Sequence, residues 1–294
     1  MKRISFNLSG RLEPILVDVL RRINMATGAL GIPFFVVGAT ARDILLEHCY
    51  GIKAGRATRD LDIGIKVAGW DEYGKLTSAL LDSGSFTLTR EPHRMCCGML
   101  EIDMVPFGAV SINGREIRWP PDQAIVMSIL GFQEAHDASL LVRLAVNPSL
   151  DVRVPTIPGL ALLKLISWHE SYPGRPKDAA DLLLLMLSYA EAGNQDRLFE
   201  EAGLMEAEDF NPTMAGIRLL GRDMASMAGP ETSSVAASIL QREINADEGH
   251  HRLVRDMTRG KAVFQRNLAE ARRMLEKLSQ GLSDRNDKGG SVQG

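Results

Sequence analysis

Apolar positions change their period along this chain, and the change divides it. Between residues 11 and 30, Leu12, Ile15, Leu16, Val19, Leu20 and Ile23 recur at helical spacing and predict an amphipathic helix. Residues 32–37, IPFFVV, form a short apolar run that reads as a buried strand. It leads directly into Gly38-Ala39-Thr40 and a second helix over 41–50. Residues 60–67, DLDIGIKV, alternate with period two: Leu61, Ile63 and Ile65 face a core, and Asp60 and Asp62 share the opposite face. A helix over 71–82 and strands over 85–90 and 97–106 follow. Turn residues Asn113-Gly114 and Pro120-Pro121 then punctuate short strands at 115–118, 141–146 and 151–155. From Pro158 onward the pattern is helical throughout: 158–170, 176–190, 194–202 and several segments between 212 and 280.

This pattern predicts an α+β chain in three parts. A mixed α/β unit spans 1–155, an all-helical unit spans 156–282, and a polar tail, 283–294, lacks the apolar residues to fold. At 294 residues the chain also sits at the length where one core stops growing and two become the better solution. Composition, 45% hydrophobic and 24% charged, is that of a globular protein and excludes a fibrous or fully disordered one. The longest apolar stretches, such as Leu182–Leu187, fall far short of the ~20 residues a membrane helix needs, so no membrane partner is expected. MKRISFNLSG at the start has no apolar segment of a secretory leader, and three cysteines, two of them adjacent, cannot build a disulfide framework. Both point to the cytoplasm.

A net charge of −3 excludes a protein coated in positive charge but not a local basic surface. One basic stretch runs from Arg252 to Lys277. It reads either as a solvated helix face or as a surface for RNA or an acidic partner. Only Phe264 is aromatic there, so base stacking is not advertised.

The candidate chemistry begins at Asp60-Leu61-Asp62. Two carboxylates on one strand face repel unless a cation lies between them, and hard oxygen donors suit Mg²⁺. Glu101-Ile102-Asp103 is a second alternating strand able to bring a third carboxylate alongside. Gly38-Ala39-Thr40 at a strand-to-helix junction can aim free N–H groups at an anion, with a hydroxyl at Thr40. Lys164 projects from the apolar helical run LLKLISW, and Asp178 and Asp181 share one face of the next helix. Lys164 therefore either meets an anion such as a triphosphate or pairs with these aspartates between helices. His93, Cys96 and Cys97 offer soft ligands, but adjacent cysteines bind one metal poorly, and a core or edge placement is expected. His250-His251 reads as a solvated pair. The motifs of P-loop hydrolases, dinucleotide-binding folds and serine hydrolases are absent from the sequence.

Taken in order, Gly38-Ala39-Thr40, Asp60-x-Asp62, a later strand acid, Lys164-Leu165 and Lys177-Asp178-x-x-Asp181-Leu182 resemble the nucleotidyltransferases of the DNA polymerase β superfamily. Within it they resemble the AbiEii/AbiGii toxin branch, over Val36 to Tyr189. The resemblance implies a polymerase-β-like nucleotidyltransferase domain, a mixed sheet with flanking helices, followed by a helical domain. It implies two Mg²⁺ ions held by Asp60, Asp62 and Asp103, the last accepting or orienting the hydroxyl proton. An NTP would be contacted by Gly38, Ala39, Thr40, Arg42, Arg59, Lys164 and Asp178, with Asp181 structural. The acceptor implied is RNA, a tRNA end, and the partner a cognate antitoxin. Two departures stand out: Gly38-Ala39-Thr40 replaces the usual Gly-Gly or Gly-Ser, and an insert, Gly51–Arg59, lengthens the approach to Asp60.

Three alternatives remain on the same residues. The run Val37–Leu46 is similar to the head of tRNA-end-maturing and poly(A) polymerase-type enzymes, but their E-D-x-x-R helix is missing. The others are a small-molecule (antibiotic) adenylyltransferase and a non-catalytic partner-binding protein on the same fold.

Overall fold

A computed structural model describes residues 4–55, 60–247, 250–260 and 268–284. The chain is mixed α/β and divides into two compact units between Thr156 and Ile157.

In the first unit, β1 (Phe6–Asn7) precedes α1 (Pro14–Leu30), which starts on a proline whose missing N–H costs nothing at that position. The helix buries Val19, Leu20 and Ile23, as its spacing requires. Next come β2 (Phe34–Val37), α2 (Gly38–Asp43) running on into a π-helical turn (Ile44–Cys49), β3 (Asp60–Lys66) and α3 (Trp70–Asp82). Then follow β4 (Thr87–Leu88), β5 (Arg94–Cys97), β6 (Leu100–Phe107), β7 (Glu116–Arg118), β8 (Val126–Ser128), α4 (Phe132–Asp137), β9 (Leu140–Val146) and β10 (Ser149–Val154).

Three sheets form. The central one has the order β2-β3-β6-β5-β4, with β3 and β6 parallel and every other neighbour antiparallel. Strand β1 joins β9 and β10 in a second sheet, and β7 pairs with β8 in a hairpin. Alternation sets what the central sheet shows on each face. Leu61, Ile63, Ile65, Ile102 and Met104 are fully buried on one side. On the other, Phe35 and Phe107 stack edge to face at 5.5 Å under Phe132 and His136 of α4, while Asp60, Asp62, Glu101 and Asp103 occupy the opposite end of the same face.

His136 sits against both rings, its Nδ1 3.1 Å from Asp137 and its Nε2 buried with no hydrogen-bond partner among the described residues. Burial, helped by Arg153 and Lys66, holds its pKa below the ordinary histidine value against the opposing pull of Asp137. The unfolded chain therefore binds this proton more readily. Stability contributed here is complete above the unfolded value of 6.5 and declines as the pH falls below it. We expect His136→Phe to flatten that decline in thermal melts taken from neutral pH down to about pH 5; an identical pH profile in the variant would remove His136 as its source.

The second unit is helical in its described residues: α5 (Ile157–Glu170), α6 (Pro176–Ser188), α7 (Gln195–Glu200), α8 (Leu204–Ala207), α9 (Pro212–Met227), α10 (Pro230–Ile244), α11 (Arg252–Thr258) and α12 (Leu268–Ser283). Helices α9 and α12 approach through two glycines. A Cβ on Gly221 would lie 2.3 Å from the Leu278 carbonyl oxygen, and one on Gly281 would lie 2.0 Å from that of Arg218, so neither position has room for a side chain. No described helix is long and apolar enough to cross a membrane.

Several expectations are corrected. The strand expected over 85–90 shrinks to two residues, and the one expected over 97–106 is two strands, β5 and β6, joined by Gly98-Met99 with Gly98 at φ +61°. The periodic run hid this hairpin because its turn interrupts the alternation with only two residues. Strands β1 and β8 and helix α4 are additional. Of the expected tail, Ser283 closes α12, and Asp284 is gripped by Arg218 at 2.9 Å and Arg222 at 2.6 Å. Residues 285–294 lie outside the described residues.

Candidate active site

The parallel pairing of β3 with β6 sets Asp60 opposite Glu101 and Asp62 opposite Asp103. Parallel partners at one level project to the same side of a sheet, so four carboxylates share one end of one face. Asp60 and Glu101 are exposed, Asp62 is half-buried and Asp103 is buried. Strand β2 adds the next element, because Val37 pairs with Asp62 and the chain turns sharply at Gly38 directly above it. Gly38 takes φ +66°, and a Cβ there would fall 1.9 Å from Asp62 Oδ2. Only glycine permits both the left-handed turn and backbone contact with this carboxylate. Thr40 Oγ1 donates to the Asp60 carbonyl oxygen at 2.9 Å, so its hydroxyl ties the start of α2 to the start of β3.

Among the described residues, a cation is built into this face. Arg94 of β5 pairs with Asp103 across the antiparallel β5–β6 ladder. Its guanidinium grips Asp103 at two points, Nε–Oδ1 2.6 Å and Nη2–Oδ2 2.8 Å, while Nη1 reaches Glu101 Oε2 at 2.9 Å. Hydrogen bonding to Asp103 raises the Arg94 pKa above its ordinary value, with the charges of Asp103, Glu101 and Asp60 adding to it against desolvation. The strand reading that began at residue 97 missed Arg94. Its signal lay in Arg94-Met95-Cys96-Cys97, four alternating residues ending at a glycine turn.

The donor set is that of a hard cation: carboxylate oxygens on neighbouring register positions, with a glycine giving the backbone access to one of them. Asp60 and Asp62 suit such an ion. Asp103 is adjacent, but both its oxygens answer Arg94. Among the described residues no three His, Cys, Asp or Glu side chains gather into a metal-holding group. Cys96 and Cys97 follow one another on β5 and so point to opposite faces, which excludes their sharing one ion.

A cavity of about 600 Å³ opens beside the carboxylates, lined by Thr40, Asp43 and Asp60, by Leu12 just before α1, and by Ile15 and Leu16 of α1. That volume is in the range of small-ligand pockets.

The other residues expected in the site are placed as follows. Ala39 is buried in α2. Arg42 is 1% exposed, and its guanidinium lies on Asp43 at 2.5 and 2.8 Å, a placement that braces α2. Arg59 lies outside the described residues. Lys164 and Asp178 belong to the helical unit. Lys164 Nζ bonds Asp178 Oδ1 at 2.6 Å and Asp181 Oδ2 at 2.9 Å, and Ser167 donates to the second Asp178 oxygen at 2.9 Å. Burial, the largest single effect on this lysine, lowers its pKa, but the two aspartates together outweigh it and raise the net value. The interhelix pairing is thus the arrangement adopted. In the basic stretch, Arg252 is held by Glu243 at 2.7 Å and lies over the Tyr172 ring, and Arg259 is held by Asp256 at 3.0 Å. Lys261, Phe264 and Arg266 lie outside the described residues.

The family described as nucleotidyl transferase AbiEii toxin, type IV TA system, matches residues 18–284. No curated protein matches the sequence significantly. Among solved structures, the chain is similar to the antibiotic-resistance factor ANT(2'')-Ia at 16% identity and TM-score 0.37, over 68% of this chain and 100% of that one. It is similar to a tRNA-processing enzyme in an apo form at 11% identity and TM-score 0.32, over 97% and 94%. It is also similar to a Thermotoga maritima CCA-adding enzyme complexed with tRNA, at 11% identity and TM-score 0.26, over 94% and 82%. These superpositions are loose, and the sequence match alone establishes the family.

Proposed function

From the premise that this chain belongs to the AbiEii nucleotidyl transferase toxin family, we propose that it moves a nucleoside monophosphate from an NTP to a hydroxyl of RNA, a tRNA end, as the toxin of a type IV toxin–antitoxin pair. The observation that carries the catalytic part is the register of β3 on β6, which sets Asp62 beside Asp103 with Asp60 two residues along and Gly38 pressed on the Asp62 carboxylate. In the proposed reaction the acceptor oxygen bonds the α-phosphorus, the bond to the β-phosphate oxygen breaks, and pyrophosphate leaves. The hydroxyl proton passes to Asp103, once that side chain is free of Arg94. Mg²⁺ held by Asp60 and Asp62, two ions where Asp103 joins them, would offset the charge gathering on the phosphates. The Gly38–Thr40 turn orients the triphosphate through its backbone N–H groups, and the cavity bordered by Thr40 and Asp60 takes the nucleoside. The polymerase-β-like assignment of residues 1–155, the helical assignment of 156–282 and a cytoplasmic setting with a cognate antitoxin belong to the same reading.

The test is direct. Purified protein is incubated with Mg²⁺, each α-labelled NTP in turn, and either total RNA, purified tRNA or a panel of aminoglycosides. Label should appear on tRNA and depend on Asp60 and Asp62. Label on the aminoglycosides instead would make this a small-molecule nucleotidyltransferase, and label on neither would end the RNA assignment.

A further inference from the structure

The carboxylate face already contains its own counter-ion, and that fact bears on how a metal would enter. Four acids within two register positions repel one another in the absence of a cation. Arg94 relieves this by holding both oxygens of Asp103 and one of Glu101, and it lies within electrostatic reach of Asp60. A two-point guanidinium–carboxylate contact in a partly buried site is among the stronger polar contacts a protein makes. It also takes one lone pair on each Asp103 oxygen and sets a positive charge where a metal would approach.

We propose that Arg94 is a positioning residue that acts as an exchangeable internal counter-ion: it keeps Asp103 ordered and the carboxylate face folded while no divalent cation is bound, and gives up Asp103 when one binds. This rests on the reading of Asp60, Asp62 and Asp103 as a metal site. The consequence is a competition. Each ion that takes Asp103 must displace a charge-assisted pair, so the metal is held more weakly than three carboxylates alone would hold it. Arg94 thereby couples loading of the site to release of a cation at the carboxylates. A merely structural arginine would behave oppositely, since its removal would disorder Asp103 and weaken the metal.

The measurement is Mn²⁺ binding to the metal-stripped full chain without nucleotide, reading free Mn²⁺ by its electron paramagnetic resonance signal. Wild type, Arg94→Gln, Arg94→Lys and Asp62→Asn are compared, each checked for fold by circular dichroism. Removing one positive charge from contact with a ligand carboxylate should tighten binding by about tenfold, the size of a one-unit shift for a neighbouring charge. Arg94→Lys keeps the charge but loses the two-point grip, and should shift in the same direction by a smaller factor. Should Arg94→Gln prove unfolded, the lysine variant decides. Binding equal to or weaker than wild type in the folded variants overturns the proposal while leaving the metal site standing, provided Asp62→Asn still abolishes binding. If Asp62→Asn binds Mn²⁺ as wild type does, or if no protein binds it, the metal reading itself fails and the counter-ion proposal with it.

Discussion

Replacing Lys164 with methionine should destabilise the helical unit by about 3–5 kcal/mol, the cost of removing one member of a buried ion cluster. The residue is 6% exposed, and its two partners, Asp178 and Asp181, are equally enclosed. Methionine fills nearly the same volume, so packing is retained, and the loss isolates the charge. Without the ammonium, two buried carboxylates face each other across about one helical turn, each stripped of its strongest partner. Urea unfolding followed by circular dichroism should show a lower midpoint at an unchanged slope. Converting Asp178 and Asp181 to asparagine in the same variant should recover part of the loss, because the repulsion goes with the charges. An unshifted midpoint for Lys164→Met would mean that the triad is not a structural clamp between α5 and α6.

Asp62→Asn should lower nucleotide transfer by at least about a thousandfold, the equivalent of the several kcal/mol that a metal-binding carboxylate supplies to a phosphoryl transition state. The fold should survive. Asp62 is half-buried on a face where like charges crowd, and asparagine keeps its shape while removing one charge from that crowd. Thermal midpoint and label transfer, measured on the same preparation, separate the two effects. Loss of transfer with an unchanged or higher midpoint is the expected result. Full activity in Asp62→Asn would remove the carboxylate from the chemistry, whatever the family.

Some of this was legible in residue order because short-range sterics dictate it. Period two over residues 60–67 states which side chains share a face before any partner strand is known, and β3 runs over Asp60–Lys66. The same rule placed Asp103 on the strand face away from Ile102 and Met104. What pattern could not reach was the pairing. Arg94 and Asp103 are nine residues apart, and they meet only because a two-residue turn folds β5 onto β6. Arg42 also depends on its surroundings: after a glycine turn it reads as a phosphate ligand, and in the fold its guanidinium is buried on Asp43.

The order of apolar and polar residues alone determined that this chain is mixed α/β, that a strand carries two acids on one side, and that Gly38 stands at a strand-to-helix junction. Local geometry is enough for each of these, because a strand alternates and a helix repeats whatever surrounds it. Tertiary structure decided which acids become neighbours, which cation already holds one of them, and which charges are spent inside the helical unit. Those outcomes depend on strand register and burial, and both are settled only when distant segments compete for the same space and for the same lone pairs.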